Sequence, residues 1–113
     1  MTKYLYLFRG GDDQIEEMSP EQTEAHMKLW ETWIESLAES GNLIEGEALT
    51  ASAKVVNKGG DLVTDGPFME GKEVVGGYVL LNAASMEEAV ELSRACPIFV
   101  IGGLVEVREI AMM

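Results

Sequence analysis

The sequence predicts an α+β fold in which two helices cover one face of an antiparallel sheet. Three observations lead to this prediction: apolar segments with strand-like alternation, two amphipathic segments that begin with capping residues, and the order in which these segments follow one another. A chain of 113 residues suits one hydrophobic core. We therefore expect a single domain over residues 1–113.

Four segments have the character of strands, and one region has the character of a hairpin. The strand segments are KYLYLF at 3–8, a weaker NLIEGEAL at 42–49, GGYVLLNA at 76–83 and GGLVEVREI at 102–110. Between the second and third of them, residues 53–64 predict a hairpin that turns through Asn57, Lys58, Gly59 and Gly60.

Two helices are indicated by capping boxes. Residues 19–22, SPEQ, place Ser19 at the N-cap, proline at the first helical position and Gln22 where the box needs it. An apolar stripe follows at helical spacing, formed by Met27, Trp30, Ile34, Leu37 and Ala38. Residues 85–88, SMEE, open a second helix that Pro97 should end.

The order of the elements is that of a ferredoxin-like split βαβ fold with an inserted β-hairpin. Right-handed crossovers would place both helices on one face of the sheet. The first and third long strands are apolar on both sides, so the other face would expose more apolar surface than monomers tolerate. A second copy packed sheet to sheet is the simplest cover, and we therefore expect a homodimer.

The charge balance bears on partners and location. Twenty acidic and eight basic residues give a net charge of −12, and no cluster of Lys or Arg offsets it, so we expect no nucleic-acid or membrane binding. Cys96 is the only cysteine, which excludes an internal disulfide and fits a reducing, cytoplasmic location. We interpret this cysteine as a small buried apolar residue.

The last strand offers a possible pocket on the open face of the sheet. If Val105 and Val107 face the helices, Glu106 and Arg108 join the tyrosines of the other strands on the opposite face. Aromatic rings with a few charges are typical of small-molecule sites. The alternative is that Glu106 and Arg108 form cross-strand or intersubunit ion pairs.

Residues 63–78, VTDGPFMEGKEVVGGY, resemble the signature of the YCII-related family in its DGPF-domain branch. Further segments are similar to that branch in order and spacing: residues 19–37, GEAL, KVV, CPIF and GGLVEVR. The chain departs at Met69, where the branch typically has alanine, and at Glu109, where it has proline. The resemblance implies a dimeric α+β barrel. Some relatives in the wider superfamily are lyases or dehalogenating enzymes with a His and an Asp in a cleft, and some DGPF members accompany sigma-factor-like regulators.

His26 is the residue best suited to proton transfer, because its ordinary pKa lies near neutrality. It would act as a general acid or base, with Asp65 or Glu73 of the signature orienting it or holding a substrate. The alternative is a partly buried structural histidine. Asp65 also suits a turn with the glycine and proline that follow it.

Three further residues are candidates for substrate binding: Lys72, Tyr78 and Arg108, although Lys72 is equally an ordinary solvated lysine. One histidine and one cysteine do not make a transition-metal site, and we expect no metal or cofactor. Two functions stay open. One is binding of a small organic molecule, with acid–base chemistry of the lyase or isomerase type; the other is a non-catalytic regulatory module linked to transcription.

Overall fold

The structure, a computed structural model, describes residues 1–65 and 74–112. The strands in these ranges are β1 (Thr2–Arg9), β2 (Leu43–Ala48), β3 (Val55–Asn57), β4 (Leu62–Thr64), β5 (Val75–Ala83) and β6 (Leu104–Glu109). The helices are α1 (Asp12–Glu16), α2 (Pro20–Glu39) and α3 (Met86–Ser93), and short 3-10 helices cover Lys58–Gly60 and Pro97–Ile101. The predicted mixed α+β class is confirmed.

Four strands form one antiparallel sheet in the order β2-β5-β1-β6. The sheet is open within the described residues, since β2 and β6 are its edges. The strands β3 and β4 pair only with each other and form a separate hairpin. This hairpin turns through Lys58–Gly60, where Gly59 has a φ of 67°, as the sequence predicts.

The first strand alternates strictly between two environments. Tyr4, Tyr6 and Phe8 are buried in the core, whereas Leu5 and Leu7 are only half-buried on the opposite, open face. The prediction that the tyrosines of β1 share the open face with Glu106 and Arg108 is therefore wrong. The helices supply enough apolar surface to cover the aromatic side chains, and the leucines take the other side.

Helix α2 supplies most of that cover. Its N-terminus is the predicted capping box, since Ser19 accepts from the Gln22 N–H and Gln22 accepts from the Ser19 N–H. Its rings pack on those of β1: Trp33 stacks on Tyr6 with centroids 5.9 Å apart, and Trp30 meets Phe8 edge-on at 5.0 Å. The Trp33 indole N–H also donates to the Leu92 carbonyl of α3, which joins the two helices.

The buried stripe of α2 differs from the predicted one. His26, Trp33 and Leu37 are its buried residues, with Trp30 and Ile34 half-buried beside them, whereas Met27 and Ala38 are exposed. The buried stripe thus begins at His26, which the sequence pattern places beside the apolar stripe and not in it.

The second capping box is realised only in part. Ser85 accepts from the Glu88 N–H, but the Glu88 carboxylate accepts from the Ala84 N–H. Helix α3 ends at Ser93, and Pro97 begins a 3-10 helix instead of continuing it. In the described part of the chain, no helix combines the length and the apolarity needed to span a bilayer.

Candidate functional site

A cavity of about 430 Å³ lies between α2 and one end of the sheet. Its border is mostly apolar, and Glu47 is the one charged residue on it within residues 1–65 and 74–112. The side chains that give it its character are Phe8, Met27, Trp30, Ile34, Ile98 and Ile101. Both the volume and the lining fall in the range of small-molecule pockets, which is about 300–1,000 Å³.

The cavity exists because the sheet lacks large side chains at this end. The register turns Gly46, Ala48 and Gly77 toward the helices, on the same face as the buried Val79 and Leu81. Leu81 fills the space between the sheet and the helices, whereas the glycines and Ala48 leave the space beside Val79 open. Close strand approach also favours glycine, since a Cβ on Gly77 would lie 2.8 Å from the Glu47 carbonyl oxygen.

His26 lies directly behind the cavity wall. Its side chain is 3% exposed, and its Nε2 accepts from the indole N–H of Trp30 at 2.9 Å. The other ring nitrogen, Nδ1, is buried and has no hydrogen-bond partner in the described part of the chain. Since Nε2 accepts, the neutral ring carries its proton on Nδ1. Burial lowers the pKa of His26 below its ordinary value, so the neutral form is favoured.

The other proposed catalytic residue, Asp65, lies at the end of the hairpin. Its side chain is exposed and forms an ion pair with Lys54 across the two strands. No hydrogen bond joins Asp65 to His26 among the described residues. The predicted contributions of Lys72 and Glu73, and the remainder of the Asp-Gly-Pro-Phe turn, lie outside the described residues.

Tyr78 and Arg108 belong to the open face of the sheet. The Tyr78 hydroxyl donates to Glu45 at 3.2 Å, and partial burial and the neighbouring carboxylate raise the pKa of Tyr78. Arg108 donates to Glu106 at 3.1 Å, and Arg9 donates to the same carboxylate at 2.8 Å. These bonds hold the pKa of Glu106 below its ordinary value. Glu106 thus forms a cross-strand ion pair with Arg9, whereas Arg108 pairs with Glu106 along the same strand.

The candidate residues are therefore divided between the two faces of the sheet. His26 lies on the helical side beside the cavity, whereas Arg108 and the Tyr78 phenol lie on the open side. The position of Tyr78 follows from the register of β5, which pairs it with Leu7 and Glu47. Tyr78 alone spans both regions, because it also borders the cavity.

Comparison with known protein families identifies the family of this chain. The YCII-related domain model matches residues 2–113, which is almost the whole chain. The chain belongs to the YCII-related family. No curated protein matches this YCII-related chain.

Two features of the YCII-related chain were not apparent from its sequence. One is the cavity itself, although the run of small residues at 46, 48, 76 and 77 is a signal for it once the register is known. The other is Asp12 on α1, whose Oδ1 is buried without a hydrogen-bond partner in the described ranges. Cys96 is buried as predicted, and burial raises the pKa of its thiol to about 12, which disfavours the thiolate form.

Within the described residues, no group of three or more His, Cys, Asp or Glu side chains is placed to hold a metal ion. The site thus offers an apolar space with the Trp30 indole in its wall. Behind that wall, the His26 ring accepts from the indole and holds one buried nitrogen without a partner in the described residues.

Proposed function

We propose that this chain binds a small, largely apolar organic molecule in the cavity between α2 and the sheet. The observation that carries the proposal is the empty space above Gly46, Ala48 and Gly77, lined by aromatic and aliphatic side chains. The cavity border carries no cation among the described residues, and the chain has a net charge of −12. Both facts disfavour an anionic ligand, and the mostly apolar lining favours a neutral one.

The test is a titration with two fluorescent probes of similar size, neutral N-phenyl-1-naphthylamine and anionic anilinonaphthalene sulfonate. We expect the neutral probe to bind with quenching of Trp30, and the anionic probe to bind at least about tenfold more weakly. Ala48→Phe should fill the cavity and abolish binding of the neutral probe. Ala51→Phe, the same change in an exposed loop, is the control. Equal binding by wild type and Ala48→Phe would exclude this cavity as the site.

Proton transfer by His26 is a second candidate function, with Asp65 orienting the ring and elimination or isomerisation as the reaction class. The buried Nδ1 without a partner supports it, because a substrate or a carboxylate would complete that nitrogen's hydrogen bonding. Glu73, Lys72, Tyr78 and Arg108 stay proposed substrate contacts.

Nuclear magnetic resonance of the His26 ring distinguishes the two roles. A carboxylate at Nδ1 raises the pKa of the imidazole, whereas burial alone lowers it. If Asp65 acts with His26, Asp65→Asn should lower the pKa of His26 relative to wild type. An identical titration in both proteins would reject the pair.

The finer structural assignments are also proposals. The strand order β2-β5-β1-β6, in which α2 connects β1 to β2 and α3 connects β5 to β6 past one intervening strand each, supports a ferredoxin-like single domain. The half-exposed leucines of the open face support a homodimer of the dimeric α+β barrel type. Membership of the DGPF-domain branch rests on the motif, and a cytoplasmic location on the single buried cysteine. The transcription-linked regulatory role stays a prediction.

A further inference from the structure

A second apolar depression, which we call the helical groove, lies between α2 and the segment that follows α3. Its volume is about 480 Å³. Three buried side chains line it: Trp33, Cys96 and Pro97. Three large apolar side chains border it in a largely exposed state: Leu29 at 49%, Phe99 at 48% and Val100 at 66%. Apolar side chains that converge on one depression in this way are typical of an interaction surface.

The helical groove runs along α2. Its wall on that helix is a stripe of four residues at helical spacing, about 10 Å or two turns long: Leu29, Thr32, Trp33 and Ser36. Residues 94–100 form the facing wall. A groove of this length suits the apolar face of a second helix, whose anchor side chains recur one and two turns apart. Apart from α2 itself, the groove shares no element with the sheet end of the other cavity, which Met27, Trp30 and Ile34 border.

The charges around the groove determine which kind of helix fits. Helix α2 carries five glutamates and one lysine, and α3 carries three glutamates and no basic residue. Lys28, beside the groove, and Arg94, in its wall, already pair with carboxylates of their own chain, Glu24 at 3.9 Å and Glu91 at 2.8 Å. The apolar groove is thus flanked by an excess of negative charge, which favours a cationic partner.

The C-terminal end of α2 adds a second observation. Its last turn contains no basic residue, although the C-terminus of a helix carries the negative end of the helix dipole and favours cations. Glu39 is the last residue of α2, and Glu35 lies one turn before it. Neither forms an ion pair within residues 1–65 and 74–112. These carboxylates oppose the dipole of their own helix, and cations of a partner would offset both effects.

We propose that the helical groove binds a basic amphipathic helix of another protein. Apolar anchors of that helix fill the space between Leu29 and Val100, and its Lys or Arg residues face the glutamates of α2. A second copy of the chain does not suit this groove, because it would bring the same acidic helices together. The homodimer proposed above uses the opposite face of the sheet and leaves the groove accessible.

The first test measures binding of a model peptide of about 18 leucine and lysine residues, patterned as an amphipathic helix. Fluorescence anisotropy of the labelled peptide gives its dissociation constant. Leu29→Ser and Val100→Ser should each weaken binding about tenfold, since each removes one apolar contact. Leu49→Ser is the matched control, because Leu49 is also 49% exposed but does not line the groove. It should leave the constant unchanged.

The second test examines the charge of the partner. A peptide with glutamate in place of every lysine keeps the apolar face, and we expect it to bind at least about tenfold more weakly than the lysine peptide. Replacing Glu35 and Glu39 together by glutamine keeps the size of both side chains and removes their charge. This double variant should bind the lysine peptide severalfold more weakly than wild type.

Each outcome supports or overturns the proposal. Equal binding of the lysine peptide by wild type, Leu29→Ser and Val100→Ser would show general attraction to an acidic surface and would overturn the groove as the site. Equal binding of the lysine and glutamate peptides would overturn the basic character of the partner. Sedimentation of Leu29→Ser tests the other occupant: a dimer that this substitution dissociates would assign the groove to a second copy. Probe binding in the cavity between α2 and the sheet is independent of all these results.

Discussion

The ring of His26 is buried, and only one of its two nitrogens has a hydrogen-bond partner in the described residues. The Trp30 N–H needs an acceptor because the indole borders the cavity, and neutral His26 supplies it through Nε2. Protonation of Nε2 would remove that acceptor and place a charge in an apolar environment. The histidine therefore has a structural role whether or not it has a chemical one.

The stability of the chain should depend on pH through His26. In the unfolded chain His26 binds a proton near its ordinary pKa of 6.5, whereas burial keeps the folded pKa lower. The unfolded state therefore binds more protons in the interval between the two values. The contribution of His26 is complete above pH 6.5 and is lost as the pH falls below it.

The measurement is urea denaturation of wild type and His26→Gln between pH 7.5 and 5.5. Glutamine can accept from Trp30 but does not titrate in this range. We expect the free energy of unfolding to fall more in wild type than in the variant as the pH drops. Parallel curves would show that His26 does not titrate differently in the two states.

Asp65 should matter little to stability. Its side chain is largely exposed, as is that of Lys54, and ion pairs of this kind contribute about 0.2–1 kcal/mol. Asp65→Ala should therefore lower the free energy of unfolding by less than about 1 kcal/mol. Lys54→Ala should cost the same. A larger loss for Asp65→Ala alone would indicate a second role, such as the turn predicted from sequence.

The strands β2 and β5 approach each other closely where glycine permits it. A Cβ on Gly77 would meet main-chain atoms of β2, at 2.8 Å from the Glu47 oxygen, and main chain cannot move aside as a flexible side chain can. Gly77→Ala should therefore lower the free energy of unfolding by about 1–3 kcal/mol, as overpacking does.

The neighbouring glycine provides the control for that measurement. A Cβ on Gly76 would meet nothing within 4 Å. Gly76→Ala should not destabilise, since alanine restricts the unfolded chain more than glycine does. Thermal unfolding of both variants gives their melting temperatures. If the two melting temperatures are the same, close strand approach is not the reason for glycine at position 77.

The sequence predicts those elements whose signals are local. The capping box at Ser19, the hairpin turn at Gly59 and the alternation of β1 all depend on neighbours within a few residues. Which face of β1 meets the helices is not local. Tyr6 and Leu7 are both apolar, so only the packing of Trp33 on Tyr6 reveals that the aromatic side is the core.

The candidate site was less predictable for the same reason. The cavity arises from missing side chains on two strands that are far apart in sequence, and their register brings Ala48 opposite Gly77. His26 stood out by its chemistry, but its bond to Trp30 depends on a one-turn spacing that equally fits an ordinary core histidine. Arg108 and Glu106 lie on the open face as the alternation of the last strand predicts, but the tyrosines of β1 lie on the other face.

The molecule as a whole is an acidic body with two apolar surfaces outside the helical groove, the β3–β4 hairpin and the leucines on the open face of the sheet. Its charge of −12 opposes any self-association, while the hairpin and the leucine face favour it. The range of these two forces differs. Repulsion between net charges acts over the Debye length, about 10 Å at 0.1 M salt and 3 Å at 1 M, whereas apolar contact is local.

Dimer formation should therefore become stronger as salt is added. Raising sodium chloride from 50 to 500 mM screens the repulsion between the two copies but leaves the burial of apolar side chains intact. Light scattering and sedimentation at each salt concentration would give the dissociation constant, which we expect to fall severalfold across this range. Intersubunit ion pairs would have the opposite effect, because salt weakens them. A constant that rises with salt would thus show that charged contacts, and not apolar surfaces, hold the two copies together.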